Sequence, residues 1–491
     1  MASAVMIIAA SDSGCGAGTA ADILTTHDFG VHPVAAETGA TCQTSEGCFG
    51  VSPLPADFVL DTILRLDGDF RPAAVKIGLI PNREILDAVI AGLTEIRKRH
   101  GLFVVADPVF SASAGGIMSS LGRDDYLRLF AVSDLVTPNI PEIELLSGRR
   151  ISCSEDLREA AVSLSAKLGG VSVLAKGGHL KGEQVFDFLI TPDFSAWFGE
   201  PYYDHTNKHG TGCTLSSAIA SAVADNYDLD DAVALAEAYV TGGLSCAERI
   251  AHGPGPVQHR GLSQAFGHLP FICTESPAVT EYPKFPRCPQ KLGLYPVMPD
   301  LAWLRRVLEA GVRTAQLRIK DRSDPGLFDK IKEAVALGRE YGASVFIDDY
   351  WEMAIEAGAY GVHLGQEDLQ TADLRRISDA GLHLGVSTHG WYELSKAIAL
   401  RPSYIALGHI FDTRTKKMKS KAQGLERLRL FVQAAGGIPT VAIGGLSGER
   451  FYDAVRTGVG SVACVTAITE APDPVQQIKE YMSAFENYED N

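Results

Sequence analysis

The sequence lacks both an excess of positive charge and any long apolar run, and each absence excludes a class of partner. Its 491 residues include 44 Lys and Arg against 60 Asp and Glu, which gives a formal net charge of −16. Binding to a nucleic-acid backbone or to an anionic membrane requires excess Lys and Arg, so we expect neither partner. No segment reaches the roughly 18 uninterrupted apolar residues that a transmembrane helix needs. Anionic small molecules would have to be bound by local clusters of cations.

We also expect neither a leader sequence nor paired cysteines. The opening MASAVMIIAASDSG has no basic region, and its apolar run of about half a dozen residues is too short for a signal sequence. The nine cysteines are odd in number and include no C-x-x-C pair. This pattern argues against a disulfide framework or a structural zinc site. We therefore expect a cytoplasmic protein with reduced thiols.

Prolines indicate where the chain divides into domains. A chain of this length corresponds to about three domains, or to two when both are large. Residues 253–290 are crowded with prolines, which fit neither a helix interior nor a central strand. We predict an amino-terminal domain at residues 1–265, a Pro-rich connecting segment at 266–289 and a carboxyl-terminal domain at 290–491.

In the second half, strand-like apolar runs alternate with helical stretches in a regular order. Helical spacing and Gly stops separate the runs. Eight βα units in about 200 residues predict a (β/α)₈ barrel. The runs are KLGLYPVM, TAQLRIK, ASVFIDD, YGVHLG, LHLGVSTH, YIALGHIF, TVAIGG and SVACVTAI.

Polar residues in this half fall at the carboxyl ends of the runs. In a barrel those ends converge on one face, which carries the catalytic loops. We therefore expect a single site there. Its candidate residues are Gln316, Arg318, Lys320, Asp348, Asp349, Asp368, Ser387, Thr413, Thr415, Lys416, Gly444, Gly445 and Thr466.

The first half also alternates, with less regular spacing. This pattern predicts an open α/β sandwich with a mostly parallel sheet, whose ligands lie beyond the carboxyl ends of the strands. The strand-like runs are AVMIIAAS, VHPVAAETGA, AAVKIG, FVVADPVF, DLVTPN and VSVLAKGG.

The motif HGTGC, followed by the helical stretch TLSSAIASAVA, predicts an anion site. Gly210 and Gly212 let backbone amides approach a ligand, and the free N–H groups at the start of the helix favour negative charge. Thr211 lies between the two glycines. The helix start is expected to lower the pKa of Cys213. The residues alone leave this cysteine as a nucleophile, a buried small residue or part of a phosphate cradle.

Two further motifs contain groups suited to a nucleotide and its metal. Asn139 and Glu142 in TPNIPEIELL could hold Mg²⁺ and its waters, or could simply cap a helix. Lys176 in LAKGG could neutralise a transferring phosphoryl group, or could be a solvated lysine.

Together the motifs of the first half resemble hydroxymethylpyrimidine/phosphomethylpyrimidine kinase, a ribokinase-like family, over nearly all of residues 1–260. The motifs that carry this resemblance are AASDSGCGAGTAADILTTHDFGV, VKIGLI, ADPVF, VTPNIPEIELL, LAKGGHLKG and HGTGCTLSSAIA.

The resemblance implies that ATP, with Mg²⁺, phosphorylates 4-amino-5-hydroxymethyl-2-methylpyrimidine and then its monophosphate. It implies that Gln43 hydrogen-bonds the aminopyrimidine, and that small residues around 17–22, ending at Asp22, line the pocket with Val109. Lys176, Asn139 and Glu142 would face ATP and its metal. Residues 210–213 would form the anion hole, with Cys213 as one of its members first and as a proton acceptor second. Ala10, Leu79 and Lys208 depart from the family pattern.

Basic and acidic side chains in the barrel half predict a diphosphate site. Strand alternation would place Gln316, Arg318 and Lys320 on one face, where cations are costly unless they receive an anion. Asp349 and Asp368 could share one Mg²⁺ with that diphosphate, although either could be a helix cap. Gly444 and Gly445, with Thr466, end the strands where barrels commonly bind phosphate, which implies a second phosphorylated substrate.

The motifs QLRIKDR, FIDDYW, GVHLGQEDLQ, LGVSTHG, YIALGHIFDTRTK, VAIGGL and VTAI resemble thiamine-phosphate synthase across residues 291–470. That family joins hydroxymethylpyrimidine diphosphate to thiazole phosphate. The resemblance implies that the basic residues and Mg²⁺ stabilise the departing diphosphate, with Arg318 and Lys416 as catalytic residues. Asp348 and Ser387 would contact the pyrimidine. Asp348 and Asp412 stand where Asn and Pro are common. The residues implied for the thiazole phosphate are Thr413, Thr415, Gly444, Gly445, Val465 and Thr466.

The product of the first implied reaction is the substrate of the second, which predicts a bifunctional enzyme of thiamine biosynthesis, a kinase joined to a transferase. Two alternatives are a kinase half that prefers pyridoxal or another small alcohol, and a ligand-binding regulator with a decayed kinase half. The retained Lys176, Glu142 and HGTGC argue against the regulator. A homo-oligomer is left open.

Overall fold

The computed structural model describes residues 3–110, 118–178, 180, 182–278, 281–413 and 420–486. The chain divides into two compact units, Met1–Val279 and Thr280–Asn491. No helix in the described ranges is long and apolar enough to cross a membrane. All nine cysteines lie in those ranges and are free thiols.

The first unit contains a mixed β-sheet with helices between its strands. Within the described residues the strands are β1 (Ala4–Asp12), β2 (His32–Thr44), β3 (Gly47–Pro53), β4 (Ala74–Ile77), β5 (Phe103–Ala106), β6 (Leu135–Val136), β7 (Ser172–Ala175), β8 (Gln184–Ile190), β9 (Ser195–Pro201) and β10 (Phe271–Cys273). The helices are α1 (Gly18–Asp28), α2 (Ala56–Phe70), α3 (Arg83–Arg97), α4 (Arg123–Phe130), α5 (Ile140–Ser147), α6 (Ser154–Lys167), α7 (Thr211–Ala224) and α8 (Leu229–Ser245), with a short 3₁₀ helix at Leu262–Ala265.

The strand order across this sheet is β10-β9-β8-β7-β6-β5-β4-β1-β2-β3. The central strands, from β2 through β1 and β4 to β7, are parallel, and the flanking strands β3 and β8–β10 pair antiparallel. The predicted open α/β sandwich is confirmed, and each of the six runs forms a parallel strand. The antiparallel flanks were not predicted. One of them, β10, falls inside the segment that was predicted to connect the domains.

The core of this unit forms because the parallel strands are apolar on both faces. The side chains of β4 and β5 are buried almost throughout, including Val75, Ile77 and Val104. The helix α3 supplies an apolar stripe, and Asn82 caps its first turn by accepting a hydrogen bond from the Ile85 N–H at 3.0 Å. These contacts hold the carboxyl ends of the parallel strands at one edge of the sheet, where ligand-binding groups collect.

The second unit is a closed barrel of parallel strands, as predicted. Its strands within the described residues are β11 (Gly293–Met298), β12 (Thr314–Leu317), β13 (Ser344–Asp348), β14 (Gly361–Leu364), β15 (His383–Thr388), β16 (Tyr404–Gly408), β17 (Thr440–Ile443) and β18 (Ser461–Cys464). Its helices are α9 (Leu301–Glu309), α10 (Leu327–Glu340), α11 (Trp351–Ala357), α12 (Gln366–Leu369), α13 (Leu374–Asp379), α14 (Trp391–Leu400), α15 (Gly424–Ala434), α16 (Glu449–Val455), α17 (Thr466–Thr469) and α18 (Pro474–Glu486).

Aromatic side chains fill the barrel interior because two glycines make room for them. The rings of Phe346 and Tyr404 lie edge to face at 5.1 Å. A Cβ atom on Gly385 would lie 2.2 Å from the Tyr404 ring, and one on Gly361 would lie 2.6 Å from the Phe346 ring. A side chain at either position would displace an aromatic residue of the core.

Two candidate active sites

The HGTGC motif lies at the start of α7, as predicted, and packs against the loop that follows β1. Gly210 has a φ of 82°, and a Cβ there would lie 2.0 Å from the carbonyl oxygen of Gly16. A Cβ on Gly212 would lie 3.2 Å from Asp107 Oδ2 and 3.3 Å from Lys176 Nζ. Position 210 therefore requires glycine, whereas a side chain at Gly212 would press on Asp107 and Lys176, so the backbone of Gly212 lies next to Lys176.

Lys176 is not solvated, because its ammonium group pairs with Asp107. The Nζ atom lies 2.8 Å from Asp107 Oδ1, and both side chains are largely buried. The Thr137 hydroxyl also donates to Asp107 Oδ1, at 2.9 Å. Burial by itself would lower the pKa of Lys176, but the carboxylates of Asp107 and Glu142 raise it to about 12. The ammonium is therefore permanently charged and held next to the glycine turn.

Asp107 was missed in the sequence, although its signal was visible. It follows β5 directly, in the motif ADPVF, so it satisfies the rule that polar residues at the carboxyl ends of parallel strands form the site. Val109, predicted to line the pocket, lies two residues further on and is partly buried. Its carbonyl oxygen accepts a hydrogen bond from the Tyr126 hydroxyl at 2.9 Å.

Asn139 and Glu142 form a reciprocal cap on α5. Asn139 Oδ1 accepts from the Glu142 N–H at 3.0 Å, and Glu142 Oε2 accepts from the Asn139 N–H at 2.7 Å. Of the two roles expected from the sequence, Mg²⁺ binding and helix capping, the structure shows the pair as a helix cap. Burial raises the pKa of Glu142 to about 8, although Lys176 opposes the rise. No group of three or more His, Cys, Asp or Glu side chains that could hold a metal occurs in the described residues.

Asp22 does not line a pocket, and that prediction is corrected. Its carboxylate is fully buried, and both oxygens lie 2.7 Å from Lys76 Nζ. Ser217 on α7 donates to Asp22 Oδ1, also at 2.7 Å. The carboxylate is occupied by a buried lysine because β4 places Lys76 directly beneath α1. Asp22 therefore supports the site from behind, and Lys76 was missed in the sequence.

The prediction of a low pKa for Cys213 is wrong. Burial raises the pKa of the thiol to about 11, and the Asp22 and Asp107 carboxylates add to the rise, while Lys76 and the Gly18 N–H oppose it. A helix start favours an anion by only a modest amount, so loss of water and two nearby carboxylates outweigh it. Cys213 is a neutral thiol in this structure.

The loop after β1 is organised by Asp12, a residue that was also missed. Its carboxylate accepts hydrogen bonds from the N–H groups of Gly14, Gly16 and Ala17 at 2.8 to 3.2 Å. His209 Nε2 lies 3.0 Å from Asp12 Oδ2. Burial by itself would raise the pKa of Asp12, but its bonds to His209 and to the loop amides lower it.

Gln43, predicted to bind the pyrimidine, lies beside the same histidine. Its Nε2 atom is 3.3 Å from His209 Nε2. The Ser13 hydroxyl donates to the Gln43 carbonyl oxygen and accepts from the Gln43 N–H, both at 2.8 Å. Gln43 therefore lies next to His209, the residue that precedes the glycine turn.

Three buried carboxyl groups lie behind Lys176. Asp187 accepts a hydrogen bond from the Gly177 N–H at 2.8 Å, and burial raises its pKa to about 6. Burial also raises the pKa of Glu200 and Glu237 well above the usual range, with the neighbouring carboxylates adding to the rise. Glu200 and Glu237 therefore keep their protons near neutral pH, whereas Asp187 is mostly ionised there.

In the barrel, Gln316, Arg318 and Asp348 form one cluster. Asp348 Oδ2 lies 2.8 Å from Arg318 Nε, and Asp348 Oδ1 accepts from the Gln316 side-chain amide. The structure brings Gln316 and Arg318 to the same carboxylate, and β12 ends at Leu317, so a strand face shared with Lys320 stays a prediction. Arg318 lies just past the strand, with its N–H donating to the Met298 carbonyl at 2.8 Å, and Lys320 is exposed in the following loop.

Asp349 and Asp368 lie side by side, as predicted. Burial raises the pKa of Asp349, and contact with the Asp368 carboxyl raises it further. Arg322, a residue missed in the sequence, lies 3.3 Å from Asp368 and 3.9 Å from Asp349. Two carboxylates in contact repel each other, and a divalent cation between them would relieve that repulsion. The pair therefore fits Mg²⁺.

Ser387 is held from behind by a chain of hydrogen bonds through the barrel interior. Its hydroxyl lies 2.8 Å from His363 Nε2, and His363 Nδ1 lies 2.7 Å from the Tyr404 hydroxyl. The Tyr404 hydroxyl is in turn 2.7 Å from that of Tyr295. Gln366 donates to the Ser387 carbonyl at 2.6 Å. This chain fixes the position of the Ser387 side chain.

The glycine pair after β17 lies against the loop that follows β16. Gly444 has a φ of 102° and Gly445 a φ of 66°, and a Cβ on Gly444 would lie 2.5 Å from His409 Cβ. Thr413 is in the loop after β16, and Thr466 begins α17 directly after Val465. All of these residues follow neighbouring strands of the barrel. Thr415 and Lys416 lie outside the described residues.

Family models match both halves of the chain. The family model described as phosphomethylpyrimidine kinase matches residues 12–258, and the model described as thiamine monophosphate synthase matches residues 294–468.

Relatives of each half are known. The thiamine-phosphate synthase of Citrobacter koseri is 58% identical over 191 residues, which is 39% of this chain and 90% of the relative. The Klebsiella pneumoniae protein of the same name is 59% identical over the same shares. The crystal structure of phosphomethylpyrimidine kinase from Clostridium difficile is similar with 32% identity and a TM-score of 0.43, over 49% of this chain and 98% of that one. The chain therefore belongs to both families, as a phosphomethylpyrimidine kinase domain fused to a thiamine-phosphate synthase domain.

Proposed function

We propose that this chain phosphorylates 4-amino-5-hydroxymethyl-2-methylpyrimidine and its monophosphate at the first site and couples the resulting diphosphate to hydroxyethylthiazole phosphate at the second. The observation that carries this proposal is the pairing of the two families in one chain. The product of the first implied reaction is the substrate of the second, so the two halves together yield thiamine phosphate and diphosphate.

In the kinase site, charge and position account for the chemistry. The permanently charged Lys176 and the amides at residues 210–213 would hold the transferring phosphoryl group, whose charge is spread over its oxygens. Gln43 would orient the pyrimidine ring. Cys213 contributes its backbone N–H and not a thiolate, because its pKa is about 11. Such a transition state is loose, and a strong base is not required.

ATP and Mg²⁺ are the proposed co-substrate and cofactor of the kinase half. Asn139 and Glu142 lie beside Lys176, since Asn139 and Lys176 form a parallel bridge. Their oxygen atoms suit a hydrated Mg²⁺, which would neutralise charge on the nucleotide phosphates. Glu142 is ready to ionise when a cation approaches, because burial has raised its pKa to about 8.

In the synthase site, the departing diphosphate would be received by cations. Arg318, Lys320 and Lys416 would contact it, and Arg322 is close enough to Asp368 to join them. Asp349 and Asp368 would hold Mg²⁺, which supplies further positive charge at the leaving group. The electron-rich aminopyrimidine carries the cation left behind, and Ser387 and Asp348 would hold that ring. The thiazole nitrogen then attacks, and no side-chain nucleophile takes part.

The second phosphorylated substrate would bind at the opposite side of the barrel rim. The glycine pair 444–445 exposes backbone N–H groups to a phosphate because neither residue has a side chain in the way. Thr413, Thr415, Val465 and Thr466 would complete this subsite. Its distance from the diphosphate cluster around the rim would keep the two phosphate groups apart.

The test supplies the purified chain with the pyrimidine alcohol, ATP, Mg²⁺ and thiazole phosphate. Thiamine phosphate is the expected product. Lys176→Ala should stop the reaction from the alcohol and leave the reaction from preformed pyrimidine diphosphate intact. Failure of the wild-type chain to form thiamine phosphate, or turnover of pyridoxal at an equal or higher rate than the pyrimidine, would overturn the proposal.

A further inference from the structure

The side-chain amide of Gln43 is mismatched with its surroundings. Its Nε2 group faces His209 Nε2 at 3.3 Å. Its Oε1 atom is buried and has no hydrogen-bond partner in the described part of the chain. A buried carbonyl without a donor is costly, so this arrangement calls for an explanation.

The tautomer of His209 follows from Asp12. The Asp12 carboxylate accepts three loop N–H groups, and an ionised carboxylate can only accept hydrogen bonds. His209 Nε2, at 3.0 Å from Asp12 Oδ2, must therefore carry a proton. A nitrogen that donates to Asp12 cannot also accept from the Gln43 amide.

Turning the Gln43 amide by 180° removes the conflict with His209 and leaves a donor, in place of the unpartnered oxygen, for a ligand acceptor. The carbonyl oxygen then shares the His209 Nε2–H proton with Asp12 in a bifurcated hydrogen bond, and the NH₂ group takes the place of the unpartnered oxygen. The two orientations have the same shape, and only the hydrogen-bond network distinguishes them. The oxygen has two lone pairs, so it can accept from His209 and from one ligand donor together.

The histidine itself is firmly held. A Cβ on Gly16 would lie 2.4 Å from His209 Cδ2, so the imidazole packs directly on the backbone of the loop after β1. The backbone N–H of His209 also donates to the Gly255 carbonyl at 3.2 Å. The ring therefore has one position, and it presents one N–H to the amide.

We propose that His209, held by Asp12, is a positioning residue that fixes the orientation of the Gln43 amide and so selects rings that present an acceptor nitrogen next to an amino group. This inference rests on the proposed function, which places the pyrimidine at Gln43. The amide NH₂ donates to the ring nitrogen, and the carbonyl oxygen accepts from the amino group. A ring with the reverse pattern meets two mismatched pairs.

The test compares two substrates, the 4-amino pyrimidine alcohol and its 4-oxo analogue, in which a carbonyl replaces the amino group and the adjacent ring nitrogen carries a proton. In His209→Phe the ring and its packing on Gly16 are kept and the N–H is lost, so the amide can turn. The preference for the amino substrate in kcat/KM should fall by on the order of tenfold or more, through KM for the pyrimidine. KM for ATP should stay the same. His209→Gln restores a side-chain N–H and should recover part of the preference.

Two controls separate the outcomes. His252→Ala removes an exposed imidazole and should leave the preference unchanged, and synthase turnover of the same variant chains reports their folding. An unaltered preference in His209→Phe, or a defect confined to KM for ATP, overturns the positioning role. A wild-type chain that phosphorylates neither pyrimidine overturns the proposed function instead.

Discussion

The two sites handle charge in opposite ways. In the kinase half, each buried lysine already has a carboxylate partner: Lys176 has Asp107 at 2.8 Å, and Lys76 has Asp22 at 2.7 Å. In the barrel, Asp349 and Asp368 are like charges in contact, and the Arg318 and Arg322 guanidinium groups lower the pKa of Asp349 from nearby without forming an ion pair as short as those of the lysines. In the kinase site the lysines are already paired with carboxylates. A phosphate that binds Lys176 would therefore have to replace Asp107 as its partner. The synthase site holds two carboxyl groups in contact among arginines, and a divalent cation between those carboxyl groups would remove their repulsion and add to the positive charge that receives a diphosphate.

The largest expected effect comes from removing Arg318 in the barrel. Arg318→Ala deletes a charge that would face the diphosphate and leaves the mostly buried Asp348 carboxylate without its ion-pair partner. Coupling should fall by about 10²–10³-fold, the range found when a preorganised group that stabilises transition-state charge is removed. Turnover by the kinase half should be unchanged. The measurement is thiamine phosphate formed from preformed pyrimidine diphosphate.

A matched control for this prediction is Arg305→Ala, which removes a surface arginine paired with Glu333 at 3.6 Å. Exposed pairs of this kind contribute little. If both variants lose the same activity, or if Arg318→Ala retains full coupling, the diphosphate site has been assigned to the wrong residues.

Asp368→Asn should break the acidic pair and with it the affinity for Mg²⁺. Half-saturation of the coupling reaction should require on the order of tenfold more Mg²⁺, since one of two carboxylate ligands is lost. In the wild type, burial and Asp368 raise the pKa of Asp349, so the Mg²⁺ requirement should also rise as the pH falls. In the variant this dependence on pH should weaken. An Mg²⁺ titration that is identical in both proteins would contradict the site.

Cys213→Ser should have a small effect, which sharpens the contrast between the halves. Because burial raises the pKa of the thiol to about 11, the group is neutral from pH 6 to 9 and adds no ionisation to the kinase rate profile. Kinase turnover should stay within about threefold, with the same pH profile, since the backbone N–H at this position is retained. A collapse of the rate together with a shifted profile would instead identify the cysteine as a base.

The smallest effect is expected from Glu237→Gln, which tests the buried carboxyl groups behind Lys176. Burial raises the pKa of Glu237 well above its usual range. The folded protein then retains a proton that the unfolded chain releases above about pH 4, so this group makes stability fall as the pH rises toward its folded pKa. Gln cannot ionise, and thermal unfolding of the variant should depend less steeply on pH. A steeper dependence in the variant would show that the carboxyl is ionised when folded.

The sequence predicts the strands better than the contacts between side chains. All eight barrel strands and the six parallel strands of the sheet were predicted, because an apolar run followed by a Gly stop and a helical stretch is a local signal. The antiparallel strands β8 and β9 have no such alternation with helices. They are recognisable only once β7 offers an edge to pair with.

Some site residues could likewise be predicted from the local sequence, and others could not. Positions such as Lys176, Asp349 and Gly212 follow strands or open a helix, so their neighbourhood could be predicted. Arg322 was missed because its importance arises from Asp368, 46 residues away, whereas Asp107 follows a strand and only its pairing with Lys176, 69 residues away, needed the structure. The pKa of Cys213 was wrong for a related reason, since burial and charges from distant segments outweigh the local helix start.

The glycine at position 385 links the centre of the barrel to its reactive rim. Any larger residue there would push the Tyr404 ring aside, and the Tyr404 hydroxyl holds His363, which holds Ser387. Adding a single methyl group at this position, far below the substrates, would therefore tilt the Ser387 hydroxyl, which is proposed to contact the pyrimidine. Damage to catalysis in this enzyme can therefore originate among residues that no substrate ever reaches.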